Sequence, residues 1–210
     1  GLHHVCFETE DVGAELTAAK DKGAELIDAT PRPGLAGQIG FLHPRACAGV
    51  LVELATIELA GSRAHATPAP FATPAPSATP ARSATPAPSA NVARSQHQSG
   101  LRFKRLIIGA EEPRATASIF QRLFGFPEVA MNGGPRVMLG VGRGTLLLVP
   151  DGDVGGREGM VALSMVAENF DDLLAAFQRE GTRGVLLGTG EVTLEPVATH
   201  GVHLHISKYE

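Results

Sequence analysis

A proline-rich repeat in the middle of the chain sets the strongest limit on how these 210 residues can fold. The hexad Ala-Thr-Pro-Ala-Pro-Phe at 66–71 recurs with small changes three more times, up to residue 89. Proline fixes φ and removes a backbone donor, so neither a helix nor a sheet propagates through such a segment. We therefore predict a semi-extended linker over 60–100, which separates residues 1–59 from residues 101–210.

The composition favours a globular protein without a polyanionic partner. Hydrophobic residues make up 43% of the chain, which is enough to bury a core, and the net charge is -4. We expect no nucleic acid partner, because such proteins carry a basic surface. Apolar runs such as 144–149 are far shorter than the roughly 20 residues that cross a bilayer, so we expect no membrane span and a cytoplasmic location. The two cysteines, Cys6 and Cys47, lie far apart and predict free thiols rather than a disulfide scaffold or zinc knuckle.

Residues 1–59 predict one βαβββ unit. The segment Val12–Lys22 has Val12, Leu16 and Ala19 at helical spacing, and Gly23 is a plausible stop signal. Strand formers and turn residues predict the strands around this helix at 2–9, 25–29, 38–42 and 49–54, with a turn at 31–34 and a breaker at 43–44.

Residues 101–210 predict the same order of elements twice. The helices are predicted at 113–124, with Ile119, Phe120 and Leu123 facing inward, and at 170–179. The strands are predicted at 103–109, 127–131, 136–141 and 145–149 in one unit, and at 161–167, 184–187, 191–196 and 201–207 in the other. The loop at 151–159 lacks the spacing and the lysine of a phosphate-binding loop, so we expect no nucleotide cofactor.

The motifs of the first unit are specific. They are Gly-Leu-His-His-Val-Cys-Phe-Glu at 1–8, Gly-Phe-Leu-His-Pro at 40–44 and Gly-Val-Leu-Val-Glu-Leu at 49–54. Over about residues 1–55 the chain resembles the second half of the methylmalonyl-CoA epimerases, a family of the vicinal oxygen chelate (glyoxalase/bleomycin-resistance) superfamily. The resemblance implies an α+β fold in which two βαβββ modules form a cup around one divalent metal ion.

The resemblance also implies site residues and a reaction. His4 and Glu53 correspond to the two metal ligands of this half, for a divalent cation such as cobalt, manganese or zinc. We expect the side chain of His3 to point to the opposite face of the strand. The implied reaction is epimerisation of an acyl-CoA substrate, methylmalonyl-CoA, by removal and return of a proton between two carbonyl groups, with Glu53 as one of the two catalytic carboxylates. No basic cluster indicates how the CoA portion is held.

We expect structural roles for other residues near these motifs. His43 precedes a proline in a turn, and Glu8 and Glu10 lie at a strand end, where solvated or capping positions are usual. Two alternatives to the epimerase remain open at this point. One is another metal enzyme of the superfamily, a lyase or a dioxygenase, and the other is a non-catalytic small-molecule binding protein.

Residues 101–210 resemble the superfamily more weakly, through element order. The same register gives Arg105, about Leu146, Ala162 and His205 as the ligand positions, and of these only the histidine could bind a metal. We therefore predict a metal-free companion domain, and ordinary strand histidines at His203 and His205.

A single βαβββ module leaves one face of its sheet exposed and needs a partner module. Three arrangements would supply one: an upstream module outside this chain, a homodimer of residues 1–59, or docking onto residues 101–210. The chain starts at Gly1, inside a predicted element, and half of the implied ligands are absent, so we expect the first arrangement.

Overall fold

The computed structural model describes residues 1–35, 37–56, 100–183 and 185–209. The predicted linker at 60–100 lies outside the described residues, apart from Gly100. Three βαβββ modules follow one another in the described ranges, which we call the first (1–56), second (101–150) and third (159–207) modules. The protein is therefore α+β and is built from repeated βαβββ modules, as predicted.

The first module forms a four-stranded sheet with one helix. Helix α1 spans Val12–Asp21, and the side chain of Asp11 caps it by accepting a hydrogen bond from Ala14 N at 2.9 Å. A short 3-10 turn, Pro44–Cys47, precedes the last strand. The strands are β1 Val5–Glu8, β2 Arg32–Pro33, β3 Gln38–Leu42 and β4 Val52–Ala55, paired in the order β1-β4-β3-β2, with β1 parallel to β4.

One strand prediction in this module was wrong. No strand forms at 25–29; Leu26 makes only an isolated bridge to Leu42. The segment predicted as a turn supplies β2 instead, at Arg32 and Pro33. The strand is only two residues long and lies at the sheet edge, where a proline without a backbone donor is tolerated.

The second and third modules share one eight-stranded sheet. Their helices, α2 Pro113–Phe124 and α3 Phe170–Arg179, have the predicted bounds. The strands are β5 Leu101–Ala110, β6 Glu128–Val129, β7 Val137–Val141, β8 Gly144–Pro150, β9 Gly159–Ala167, β10 Val185–Gly188, β11 Glu191–Leu194 and β12 His203–Ser207. Their order is β10-β11-β12-β9-β5-β8-β7-β6, so the first strands of the two modules, β5 and β9, pair antiparallel at the centre.

Both helices of this sheet pack on the same side of it. Leu106 and Ile108 of β5 are buried in a core that includes Phe120 and Leu123 of α2. Ile206 of β12 is buried in a second core with α3. The alternate residues of these strands therefore face the other side of the sheet, away from both helices.

The first module docks onto the second through the helix side of its sheet. The ring of Phe7 packs edge-on against Phe124 and Phe126, with centroids 5.3 and 5.1 Å away. Lys22 Nζ donates to the carbonyl of Leu123 at 2.7 Å, and the Arg122 guanidinium donates to the carbonyl of Lys22. The first module therefore contacts the second, but not through the sheet face for which a partner module was predicted. Docking on this side leaves the opposite face of the first sheet without a covering module among the described residues.

None of the helices in the described ranges is long and apolar enough to cross a membrane.

Candidate active site

His4 and Glu53 lie side by side on the uncovered face of the first sheet. Strand β1 pairs parallel with β4 so that Cys6 is opposite Glu53, and His4, two residues before Cys6, shares its face. The His4 Nε2 atom is 2.8 Å from Glu53 Oε2. The His4 and Glu53 side chains are 35% and 15% exposed, so the pair is sheltered but reachable from solvent. The structure thus brings together the two site residues predicted from the sequence.

Two further side chains hold the His4 ring in place. Phe41, which is opposite Glu53 in the register of β3 and β4, meets it edge-on with ring centroids 5.7 Å apart. His3 Nδ1 lies 3.0 Å from His4 Nδ1. The expectation that His3 points to the opposite face was wrong: both residues precede β1, where strict strand alternation does not constrain the side chain.

The hydrogen bonds of His4 assign its tautomer. If its Nε2–H donates to Glu53, its Nδ1 accepts a hydrogen bond from His3 Nδ1–H. Both ring nitrogens of His4 are then engaged. To bind a metal through Nε2, the ring would carry its proton on Nδ1 instead, where it could donate to His3 Nδ1.

The pair fits two positions of a divalent metal site. Two ligand atoms about 2.1 Å from one ion, at a right angle, are about 3 Å apart. The observed 2.8 Å separation of Nε2 and Oε2 is close to that spacing. No cluster of three or more His, Cys, Asp or Glu side chains that could hold a metal occurs in the described part of the chain. A complete site would therefore need ligands from another module.

Cys6 also lies on this face, although the sequence predicted only a free thiol for it and no place in the site. It lies between His4 and Glu8 in the alternation of β1, opposite Glu53 in the register. Burial, followed by the charges of Glu53 and Glu8, raises the pKa of its thiol, so the group stays protonated near neutral pH. A protonated thiol is a poor ligand and nucleophile. Counting alternate residues back from Glu8 would have placed Cys6 on this face.

A cleft of about 960 Å³ follows the outer edge of β1. One wall is formed by residues 5–10, and the other by parts of the second module that include Phe103, Phe126 and the β7–β8 turn around Arg143. Strand β1 is an edge strand, and among the described residues only β4 pairs with it. Along this strand the backbone N–H and C=O groups of successive residues point alternately toward β4 and away from it. The N–H and C=O groups of Cys6 and Glu8 therefore point toward the cleft.

The remaining predicted residues near the first site have structural or surface positions. His43 caps the 3-10 turn, where its Nδ1 accepts a hydrogen bond from Arg45 N at 3.1 Å. Glu8 and Glu10 are exposed, and the cap of α1 is Asp11.

The corresponding positions of the other two modules follow from the register. In the first module Cys6 pairs with Glu53, and His4 lies two residues before Cys6. In the second module Ile107 pairs with Leu147, so Leu147 corresponds to Glu53, and Arg105, two residues before Ile107, corresponds to His4. Leu147 therefore replaces the predicted Leu146, whose side chain is buried on the helix side.

In the third module the same offsets give Ala162 and His205, as predicted, because Ser164 pairs with His205. An arginine, a leucine, an alanine and one histidine form a donor set that does not suit a divalent cation.

His205 has a specific partner on the side of the eight-stranded sheet that faces away from the helices. Its Nδ1 lies 2.9 Å from Thr193 Oγ1. Burial, followed by the charge of His203, lowers the pKa of His205 despite an opposing effect of Glu191. Its imidazole is therefore neutral at neutral pH.

Comparison with known proteins relates part of the chain to epimerases. It is 40% identical over 55 residues to the mitochondrial methylmalonyl-CoA epimerase of Dictyostelium discoideum, which is 26% of this chain and 33% of that protein. It is 41% identical over 56 residues to the ethylmalonyl-CoA/methylmalonyl-CoA epimerase of Cereibacter sphaeroides, which is 26% of this chain and 42% of that protein. These relatives confirm the sequence resemblance. The chain spans about a third of the length of the curated relatives that it matches.

No family model matches the chain. Among solved structures, the Streptomyces coelicolor methylmalonyl-CoA epimerase in complex with 2-nitronate-propionyl-CoA superposes with a TM-score of 0.43 and 20% sequence identity, covering 50% of this chain and 92% of that one. The Mycobacterium tuberculosis methylmalonyl-CoA epimerase superposes with a TM-score of 0.41 and 13% identity, covering 50% and 85%.

Proposed function

We propose that the first module contributes half of an epimerase active site that acts on methylmalonyl-CoA. The observation that carries this proposal is the contact between His4 Nε2 and Glu53 Oε2, 2.8 Å long, on the uncovered face of a module whose motifs resemble those epimerases. The identity of about 40% to two named epimerases supports it.

Glu53 is the proton-transfer group of this half. One of its oxygens, Oε2, is engaged by His4, while Oε1 has no hydrogen-bond partner among the described residues. That oxygen is available to take a proton from the carbon between the thioester and carboxylate carbonyls of the substrate, and to return it. The side chain is only 15% exposed, which limits competition from bulk water.

His4 and Glu53 would also hold a divalent cation, with the remaining ligands from a partner module. When bound, such a cation would polarise the substrate oxygens and stabilise negative charge that develops on them. Neutral imidazole and carboxylate suit a borderline cation such as zinc, manganese or cobalt. Phe41 and His3 orient the imidazole in this arrangement.

The partner module would add along the open edge of β1. Strands β5 and β9 join the second and third modules by pairing their first strands antiparallel, and β1 is the first strand of its own module. A strand added there would be about 4.8 Å away, in the space of the cleft. The module would come from a second copy of the chain or from a further βαβββ segment of the same polypeptide.

The direct test is exchange of the methylmalonyl-CoA C2 proton with deuterated solvent, followed by mass spectrometry. With a divalent metal added, we expect wild-type exchange above the uncatalysed rate and a loss of at least 100-fold in Glu53→Gln, since a positioned acid or base contributes about 10²–10⁴-fold. Exchange by Glu53→Gln at the wild-type rate would refute the role of Glu53.

Glu25→Gln is the matched control. Glu25 is in the same module and pairs with Arg45 at 2.7 Å, but its side chain is 48% exposed and it lies outside the site. We expect its exchange rate to equal that of the wild type. Native mass spectrometry of the active species identifies the partner: a mass of twice 21.8 kDa indicates a second copy. A monomeric chain of 21.8 kDa that is inactive with every metal tested would contradict activity of residues 1–210 alone.

A further inference from the structure

Arg32 places a cation on the same face of the first sheet as the candidate site. It is opposite Ile39 in the register of β2 and β3, and Ile39 shares its face of β3 with Phe41. Phe41 is in turn opposite Glu53. Residues that are opposite each other in neighbouring strands lie on the same face. The side chain of Arg32 therefore belongs to the uncovered face that carries His4 and Glu53.

The backbone and two neighbouring residues hold the guanidinium of Arg32 in place. Arg32 lies between two prolines, and a residue before a proline is restricted to extended conformations. Its Nε donates to both carboxylate oxygens of Asp28 at 3.2 Å, and Asp28 Oδ2 also accepts a hydrogen bond from Phe41 N at 3.0 Å. The Arg32 Cζ atom is 5.3 Å from the centroid of the Phe41 ring, which is a cation–π contact. The position of the cation is therefore fixed before any ligand binds.

The donor groups at the end of the Arg32 side chain remain available. The ion pair with Asp28 uses Nε alone, and neither Nη1 nor Nη2 donates to an acceptor among the described residues. These two nitrogens carry four of the five N–H groups of a guanidinium. By contrast, Arg136 uses both Nε and Nη2 in its pair with Asp153. The Arg32 side chain is 50% exposed, so a ligand in solution can reach its free N–H groups.

One phenyl ring joins this cation to the candidate site. Phe41 contacts the His4 imidazole edge-on at 5.7 Å and the Arg32 guanidinium at 5.3 Å. The His4 Nε2 atom is itself 2.8 Å from Glu53 Oε2. When the reacting carbon of a substrate is at Glu53, Arg32 is therefore near the groups bonded to that carbon. In methylmalonyl-CoA the free carboxylate is bonded directly to it, whereas the phosphates of CoA are separated from it by the pantetheine arm.

We propose that Arg32 binds the free carboxylate of the acyl group and thereby selects dicarboxylic acyl-CoA substrates. This inference rests on the proposed function and adds a specificity-determining residue to it. The planar fork of Nη1 and Nη2 matches the two oxygens of a carboxylate. Removal of the proton beside that carboxylate adds a second negative charge to the acyl group, and a cation at this position offsets the charge. An acyl-CoA without the carboxylate leaves the guanidinium without this partner.

The test compares the binding of malonyl-CoA and propionyl-CoA to the full chain by calorimetry, without added metal. The two compounds differ only by a carboxylate in place of a methyl group on the acyl chain. We expect the wild type to bind malonyl-CoA at least tenfold more tightly than propionyl-CoA, because hydrogen bonds to charged groups contribute more than neutral ones. Arg32→Gln should lose this preference. Arg32→Lys should keep part of it, because the charge remains while the fork geometry is lost.

Arg45→Gln is the matched control. Arg45 is in the same module and also pairs with a carboxylate, that of Glu25 at 2.7 Å, but it lies in the 3-10 turn outside the site. Its preference for malonyl-CoA should equal that of the wild type, and circular dichroism checks that each variant is folded. Equal affinities of the wild type for the two compounds, or a folded Arg32→Gln chain that keeps the preference, overturn the proposal. Equal weakening of both compounds by Arg32→Gln also overturns it, since that result assigns Arg32 to the phosphates of CoA.

The affinity ratio is measured without proton exchange, so this proposal and the proposed function fail separately. If the wild type shows no preference for malonyl-CoA while Glu53→Gln loses exchange, the role of Arg32 is refuted and that of Glu53 stands. If the preference depends on Arg32 while Glu53→Gln exchanges at the wild-type rate, the role of Glu53 alone is refuted.

Discussion

Docking of the first module onto the second depends on Phe7, and Phe7→Ala should loosen it. Phe7 is half-buried, and its ring contacts Phe124 and Phe126. A fully buried Phe→Ala change costs about 3–5 kcal/mol, and an aromatic pair contributes about 0.5–1.5 kcal/mol beyond its buried area. For a half-buried ring we expect a loss of about 2 kcal/mol in the free energy of opening.

Cys47 reports on this opening. It is 0% exposed in the 3-10 turn, which packs against α2, and burial raises its pKa to about 12. A thiol reagent reaches it only when the first module opens. In a Cys6→Ser background Cys47 is the single thiol, since the chain has two cysteines. When closing is faster than labelling, the labelling rate follows the opening equilibrium, so about 2 kcal/mol corresponds to about 30-fold faster labelling.

Phe103→Ala is the matched control for that measurement. Phe103 lines the opposite wall of the same cleft, is 47% exposed, and has no ring partner in the described part of the chain. We expect its Cys47 labelling rate to stay within about threefold of the parent. If Phe7→Ala also stayed within that range, the contact of Phe7 with Phe124 and Phe126 would not contribute to the stability of docking.

Three further changes have defined outcomes. Asp11→Ala removes the cap on Ala14 N and should lower the free energy of unfolding by about 1 kcal/mol, measured by urea denaturation. Gly109→Ala should destabilise the chain by about 1–3 kcal/mol, because the new methyl displaces the loop at Arg157; an unchanged melting temperature would contradict that packing. The folded-state pKa of His205 lies below its ordinary value of 6.5, so the native state binds fewer protons than the unfolded state and stability falls as the pH drops through about 6.5. Denaturation of His205→Gln should therefore show a smaller loss of stability between pH 7 and pH 5 than the wild type.

Local signals account for the elements that the sequence predicted well. Helix α2 has the predicted bounds because Pro113 is a favourable first residue and Gly125, with φ of 71°, adopts the left-handed conformation that ends it. The pair of His4 and Glu53 was predicted from the resemblance of the motifs at 1–8 and 49–54, and the parallel pairing of β1 with β4 brings the two residues together. The edge strand at Arg32 and Pro33 could not, because its two residues carry no periodicity and pair only through tertiary structure.

Contacts between residues far apart in the chain could not be predicted from the sequence. The contact of Phe7 with Phe124 joins residues more than a hundred positions apart, and no local pattern records it. Which residues of β5 face away from the helices depends on an irregularity in its pairing with β9 between Phe103 and Arg105. An extra residue in a strand reverses the side on which later residues lie, so alternation counted through Lys104 gives the wrong face.

The two sheets place different charges at equivalent positions, and this difference separates their chemistry. The first sheet has His4 next to the carboxylate of Glu53, a combination that attracts a cation and can move a proton. The second sheet has Arg105 where the first has His4 and Leu147 where the first has Glu53, so a fixed positive charge stands there without a carboxylate beside it. Such a site repels a metal ion and attracts an anion. One residue change at each position inverts the preferred ligand. Arg105→His alone should therefore not create a metal site, whereas Arg105→His combined with Leu147→Glu should raise the affinity for zinc. Calorimetry measures this affinity, with Arg105→His as the control.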